Sequence, residues 1–135
     1  MLTAAIDARL RGDATLVAML ADYNGQAAVF TIDPAPGDAS MPYIVTAGEV
    51  ADSAYDTKTT VGRDLRRDVR CYAPVTGTVV TIEAIAERVR ALLHRQPLSV
   101  DGYDVWMAEC SGPIVANEPD AYARIITVRT IMMEV

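Results

Sequence analysis

The sequence predicts an α+β fold: a mainly antiparallel β-sheet with helices packed on one face, in the order α-α-β-β-β-α-β-β-β. Three observations lead there. Ile82, Ile85, Ala86, Val89, Leu92 and Leu93 recur at helical spacing between about residues 79 and 94. Residues 63–73 form no apolar stripe when wound as a helix. As an extended strand they place Leu65, Val69, Cys71 and Ala73 on one face with Arg67, and Asp64, Arg66, Asp68, Arg70 and Tyr72 on the other. The last segment, Tyr122 to Val135, is apolar on both faces of an extended chain, with Ile126, Val128 and Met132 against Ile125, Ile131 and Met133. Such a strand is central in the sheet or covered by another subunit.

The remaining elements follow in chain order. Leu2, Ala5, Ile6, Arg9 and Leu10 share a helical face, Gly12 breaks the helix, and Asp13 is placed to cap a second one carrying Leu16, Val17 and Leu20. Tyr23-Asn24-Gly25 ends it, and a short strand follows at residues 27–32. The run DPAPGDASMP is a loop by its Pro, Gly, Asp and Ser content. Strand alternation returns from Tyr43 to Val50. Residues 51–62 read as a polar loop, long for a compact domain, and loops of that length usually carry function. After the helix at 79–94, which Pro97 ends, Leu98 to Val100 is a short strand. Asp101-Gly102 turns it into a strand from Tyr103 to about Val115, and Asn117 to Asp120 turns again into the last strand.

With 135 residues, a single domain over 1–135 is expected, long enough to bury a core without staples. Apolar residues at 51% and charged residues at 22% fit a folded chain rather than a disordered one. A net charge of −6 argues against a protein that grips the phosphate backbone, which needs excess Lys and Arg. Asp7, Arg9 and Arg11 exclude a secretory signal at the start of the sequence, and no apolar run approaches a membrane span. The chain is therefore expected in a cytoplasm. Cys71 and Cys110 read as buried, reduced thiols.

No catalytic set is visible. His94 is the lone histidine and has no local nucleophile or orienting acid. One His and two separated Cys make no usual zinc site. Asp52, Asp56, Asp64 and Asp68 lack the alternating oxygen ligands of a calcium loop. Asp101 and Asp104 flank a turn that Asp-Gly chemistry explains, with Glu109 beyond it. Gly62, Gly77 and Gly102 are isolated and form no phosphate-binding motif. Neither a cofactor nor a metal is expected. Arg63, Arg66, Arg67 and Arg70 make the sharpest charge cluster. Because Asp64 and Asp68 interleave with them, the favoured reading is a ladder of opposite charges, paired across strands or across a subunit boundary. Trp106, Met107, Met132 and Met133 read first as core, with an interface as the alternative.

Four stretches together resemble one family. They are LTAAIDARLRGDATLVAML, DPAPGDASMPYIVTAGEV, YDTKTTVGRDLRRDVRCYAP and AIAERVRALLHRQPLSVDGYDV. In order and spacing they are similar to the tail completion, or tail terminator, proteins of long-tailed bacteriophages and phage-like gene transfer agents. The likeness spans nearly the whole chain. It departs at Cys71-Tyr72-Ala73-Pro74, where the family often has an aromatic-Ser pair. The resemblance implies a structural subunit without enzyme activity, which closes with copies of itself into a ring, typically of six. The ring would cap the tail tube, stop its growth and face the head–tail connector or stopper. DNA would pass through the lumen without sequence-specific binding. The expected partners are then the chain itself, the major tail tube protein and the connector, with no membrane. The expected location is the virion neck, after assembly in the host bacterial cytoplasm. The alternatives are another neck protein such as a head completion protein, or a small α+β enzyme or ligand-binding domain. On the ring reading, the candidate interface residues are Tyr55, Asp56, Thr57 and Lys58 from the 52–62 loop, with Arg66 and Arg70 from the strand after it.

Overall fold

A computed structural model describes residues 2–135. The chain opens with two helices, α1 (Leu2–Arg11) and α2 (Ala14–Met19). Three two-residue strands follow, β1 (Asp22–Tyr23), β2 (Gln26–Ala27) and β3 (Val29–Phe30). Next come β4 (Tyr43–Val45), β5 (Glu49–Ala54) and the long β6 (Gly62–Pro74). The helix α3 (Val80–Leu93) then leads to two further long strands, β7 (Tyr103–Val115) and β8 (Ala121–Glu134). The main sheet runs β3-β4-β6-β8-β7, with β5 beside β6 on the same edge as β4. Every pair in it is antiparallel except β3 with β4.

Residues directly opposite on neighbouring strands share a face of the sheet, so the β6–β8 register assigns the faces. Leu65, Arg67, Val69 and Cys71 lie opposite Thr130, Val128, Ile126 and Arg124. This inner face meets Leu2, Ile6 and Leu10 of α1, Leu16 of α2, and Ile82, Ile85, Val89 and Leu93 of α3 in the main core. The apolar stripe of α3 is buried as its periodicity demands. Asp13 caps α2 by accepting from the Leu16 N–H at 2.9 Å. β8 lies between β6 and β7, with Ile126, Val128 and Met132 in the core; its other face is buried at Ile131 and Met133 and carries the half-buried Ile125, Thr127 and Arg129.

The outer face is open in its middle and buried toward its two ends. At one end Ile131 and Met133 of β8 are buried; at the other Tyr43 lies opposite Tyr72, and Tyr23, Phe30, Tyr43 and Tyr72 touch in sequence, edge-to-face or tilted, with centroids 5.1–5.7 Å apart. Ala35 and Ala39 from the Pro-rich loop pack against this smaller cluster.

Several boundaries differ from the sequence reading. The strand expected at 27–32 is split into β2, which forms a small hairpin with β1 across Asn24-Gly25, and β3, which joins the main sheet. The strand expected from Tyr43 to Val50 is broken at Thr46–Gly48 and resumes as β5, so much of the expected 51–62 loop is strand paired to β6. None of its residues is buried, and a strand with neither side-chain face buried shows no alternation that reports it. Leu98–Val100 contributes only a single bridge, Val100 to Tyr103, around a turn in which Gly102 has φ of +81°.

Candidate interaction surface

The hairpin β5–β6 is held by its own polar groups. Thr57 N–H donates to Thr60 O at 2.9 Å, and the Thr57 hydroxyl oxygen accepts from Thr60 N–H at 3.0 Å. Asp56 Oδ1 accepts from Gly62 N–H at 3.0 Å. These bonds place Lys58 at an exposed tip and leave Tyr55 41% exposed. A Cβ at Gly62 would collide with the Met133 sulfur and the Tyr55 carbonyl, so glycine is what lets the hairpin lie against the end of β8. Asp56 and Thr57 therefore shape the turn, while Tyr55 and Lys58 are presented by it.

Beside the hairpin, the outer face of β6 carries Asp64, Arg66, Asp68 and Arg70 opposite Ile131, Arg129, Thr127 and Ile125 of β8. Of the expected charge ladder, one ion pair forms on this face, and its cation comes from β8. Arg129 reaches diagonally to Asp64 with two bonds, Nε to Oδ1 at 3.1 Å and Nη2 to Oδ2 at 2.8 Å. That pairing holds the Asp64 carboxyl below its ordinary range. Asp68 accepts from the Thr127 hydroxyl at 2.9 Å. Arg66, exposed, and Arg70, half-buried, form no ion pair with the described residues. Arg63 points to the other face, where it pairs with Asp52 and lowers that carboxyl's pKa.

Arg67 has a different task. It is 1% exposed on the inner face. Nη2 donates to Thr3 Oγ1 at 2.6 Å and to Glu49 Oε1 at 2.7 Å, and Nη1 to Thr46 O and Oγ1 at 3.4 and 3.3 Å. It ties α1 to both sides of the β4–β5 break. Between the register pairs Val45–Arg70 and Glu49–Arg67, residues Asp68 and Val69 have no strand partner on that edge. The result is a notch of about 290 Å³, lined by residues that include Val45, Ala47, Gly48, Val50, Asp68 and Arg70.

The opposite edge of the sheet, β7, is built differently. A register shift between Val105 and Met107 leaves Trp106 without a partner on β8. Trp106 is consequently 60% exposed, which corrects the expectation that it belongs to the core; Met132 and Met133 are buried as expected and Met107 is half-buried. The outer backbone of β7 is largely capped by the end of α3. Arg95 N–H donates to Ala108 O at 2.7 Å, and Cys110 N–H donates to His94 Nδ1 at 3.0 Å. Arg90 Nη1 donates to Cys110 O and Gly112 O, each at 2.9 Å. The spacing of His94 and the arginines along α3 carries no signal of this role.

Among the described residues, no three His, Cys, Asp or Glu side chains gather as a metal-binding group. Cys71 and Cys110 are both free, and β8 separates their strands by two strand spacings, about 9–10 Å, beyond disulfide reach. Burial pushes the Cys71 thiol up to about 12. What the surface offers is side chains for another macromolecule: an unpaired arginine pair, a presented hairpin, a notch and an exposed tryptophan.

Comparison with known proteins agrees in fold and family. No curated protein sequence matches the chain. A solved structure described as the virion of a native gene transfer agent particle superposes with a TM-score of 0.79 at 23% identity, over 99% of this chain and 95% of that one. It shares the fold. A family model for tail completion protein gp17 matches residues 4–133. The chain therefore belongs to the tail completion protein gp17 family, structural components of phage tails.

Proposed function

We propose that this protein closes with copies of itself into a ring, of six subunits, that caps the finished tail tube. The ring ends tube growth and offers its other side to the head–tail connector or stopper protein. It acts in the virion neck, after assembly in the host bacterial cytoplasm. It carries out no catalysis. DNA passes through its lumen, and a net charge of −6 lets DNA slide rather than stick.

The observation that carries the reading is the uncovered outer face of β6. Arg66 and Arg70 stand there without an ion pair, on a sheet face that the three helices leave open, next to the presented hairpin with Tyr55 and Lys58. A subunit with complementary acids would give both arginines partners.

Replacing Arg66 and Arg70 together by Glu is expected to abolish rings in light scattering and negative-stain micrographs, while the circular dichroism melt stays within a few degrees of wild type. Normal rings from the double variant refute the interface assignment. A wild-type protein that stays monomeric and fails to bind purified tail tubes refutes the ring itself. Rings that bind the connector but never a tube point instead to head completion.

A further inference from the structure

Two places on the sheet, the outer face of β6 and the β7 edge, carry complementary features at matched spacing. On β6, Arg66 and Arg70 lie opposite Arg129 and Ile125 of β8. They are thus four residues apart, about 13 Å along an extended strand. Between them is the β4–β5 notch, with Asp68 in its lining. At the β7 edge, Asp104 and Glu109 lie opposite Met133 and Arg129 of β8, again four residues apart by register because the bulge at Trp106 absorbs one. Both acids are exposed and outside any ion pair of the described residues, although Glu109 faces Arg129 and acts on it electrostatically. Between them is Trp106. By this register all four charged groups belong to the outer face.

We infer that the ring contact is head-to-tail: Trp106 of one copy enters the β4–β5 notch of the next, while Asp104 and Glu109 meet Arg66 and Arg70. This rests on the ring reading above and names the partner surface it requires. The notch, at about 290 Å³, has room for one large side chain. The lining is mixed: Val45, Ala47 and Val50 offer the indole apolar contact beside Asp33, Glu49 and Arg70, and the Asp68 carboxylate can accept its N–H. A central tryptophan ringed by charge pairs is the usual anatomy of an interface hot spot. Two different patches in contact make a heterologous interface, the kind that generates rings. The caps on β7 at Ala108, Cys110 and Gly112 leave side chains rather than main chain to make this contact.

Mixing variants tests the handedness of the contact. Trp106→Ala removes the knob at an exposed site. Gly48→Phe fills the notch, where a Cβ at Gly48 meets nothing within 4 Å. Each variant alone is expected to associate about 30-fold more weakly than wild type. Mixed, they are expected to form a heterodimer and stop there, since only one intact contact remains. Charge reversal gives a second readout: Arg66→Glu/Arg70→Glu and Asp104→Arg/Glu109→Arg each fail alone, and together they restore closed rings of alternating subunits. Folding is checked by circular dichroism in every case. Wild-type-like rings from Trp106→Ala or Gly48→Phe overturn the inference and leave the ring reading standing. So does the absence of rescue in both mixtures when each variant is folded. A wild type that never assembles overturns both.

Discussion

Replacing Glu49 by alanine is expected to destabilise this protein more than replacing the arginine it pairs with. Arg67 is 1% exposed and Glu49 28% exposed. Four of the five guanidinium N–H groups have acceptors, two of them at the long distances of 3.3 and 3.4 Å, and Nε has none. Removing Glu49 leaves a buried positive charge with only neutral acceptors, at a cost of about 3 kcal/mol, the low end for breaking a buried pair because the glutamate is partly hydrated. Arg67→Met removes the charge and the unpartnered Nε together. What remains is the loss of the Thr3 and Thr46 bonds, partly offset by the better solvation of an apolar side chain in the core, about 1 kcal/mol net. For a chain of this length, 1 kcal/mol corresponds to about 3–4 °C in melting temperature. Glu49→Ala should then melt about 10 °C below wild type and Arg67→Met about 3–4 °C below. Adding Glu49→Ala to Arg67→Met should change little, within about 0.5 kcal/mol, because the charge it stranded is gone. The assay is urea and thermal unfolding by circular dichroism at several protein concentrations, so that assembly does not enter the comparison. If Glu49→Ala is no worse than Arg67→Met, or the two changes simply add, the buried-charge argument is wrong.

Two further outcomes follow from the titrating groups. The Arg88 guanidinium, together with the Leu16 N–H, holds the Asp13 carboxyl at about 2. A lowered folded pKa gives stability above the unfolded value near 4 that is lost as pH falls toward 2. The melting-temperature gap between wild type and Asp13→Asn, which keeps the cap but not the charge, should therefore be full at pH 7 and shrink between pH 4 and 2. A gap that persists unchanged to pH 2 would contradict this. Burial raises the thiols of Cys71 to about 12 and Cys110 to about 11, so both should resist a colorimetric thiol reagent at pH 8 in the native protein and react stoichiometrically in urea. Rapid native labelling of Cys71 would refute its placement.

The parts of the fold that were legible in the sequence are those whose periodicity reports burial. The stripe of α3 and the alternation of β6 were read correctly because one face meets the core, and β8 because Ile126, Val128 and Met132 enter the core while Ile131 and Met133 are buried on its other face. β5 was missed because none of its residues is buried and its pairing is written only in backbone bonds. Arg66 and Arg70 were singled out by charge, but their freedom was not readable. It depends on Arg129, 65 residues beyond Asp64, taking that carboxylate's hydrogen bonds. Trp106 was misassigned to the core because a β-bulge in an edge strand has no residue signature of its own here.

On the proposed ring reading, the unequal treatment of the two sheet edges bears on how assembly would stay finite. A long open strand on each edge would invite copies to add strand to strand without limit. In β7 the carbonyls of Ala108, Cys110 and Gly112 and the N–H of Cys110 are already satisfied by Arg90, His94 and Arg95. In β5 no backbone bond reaches the outer edge among the described residues. One sealed edge and one open edge cannot continue a ladder through the middle of β7. Any contact between them must be set by side chains, whose shape fixes the angle between neighbours. A fixed angle is what separates a closed ring from a growing fibre. Arg90 and His94 therefore belong to the assembly argument although neither touches a partner in it. Their position at the end of α3, the element most firmly anchored in the core, keeps the seal rigid.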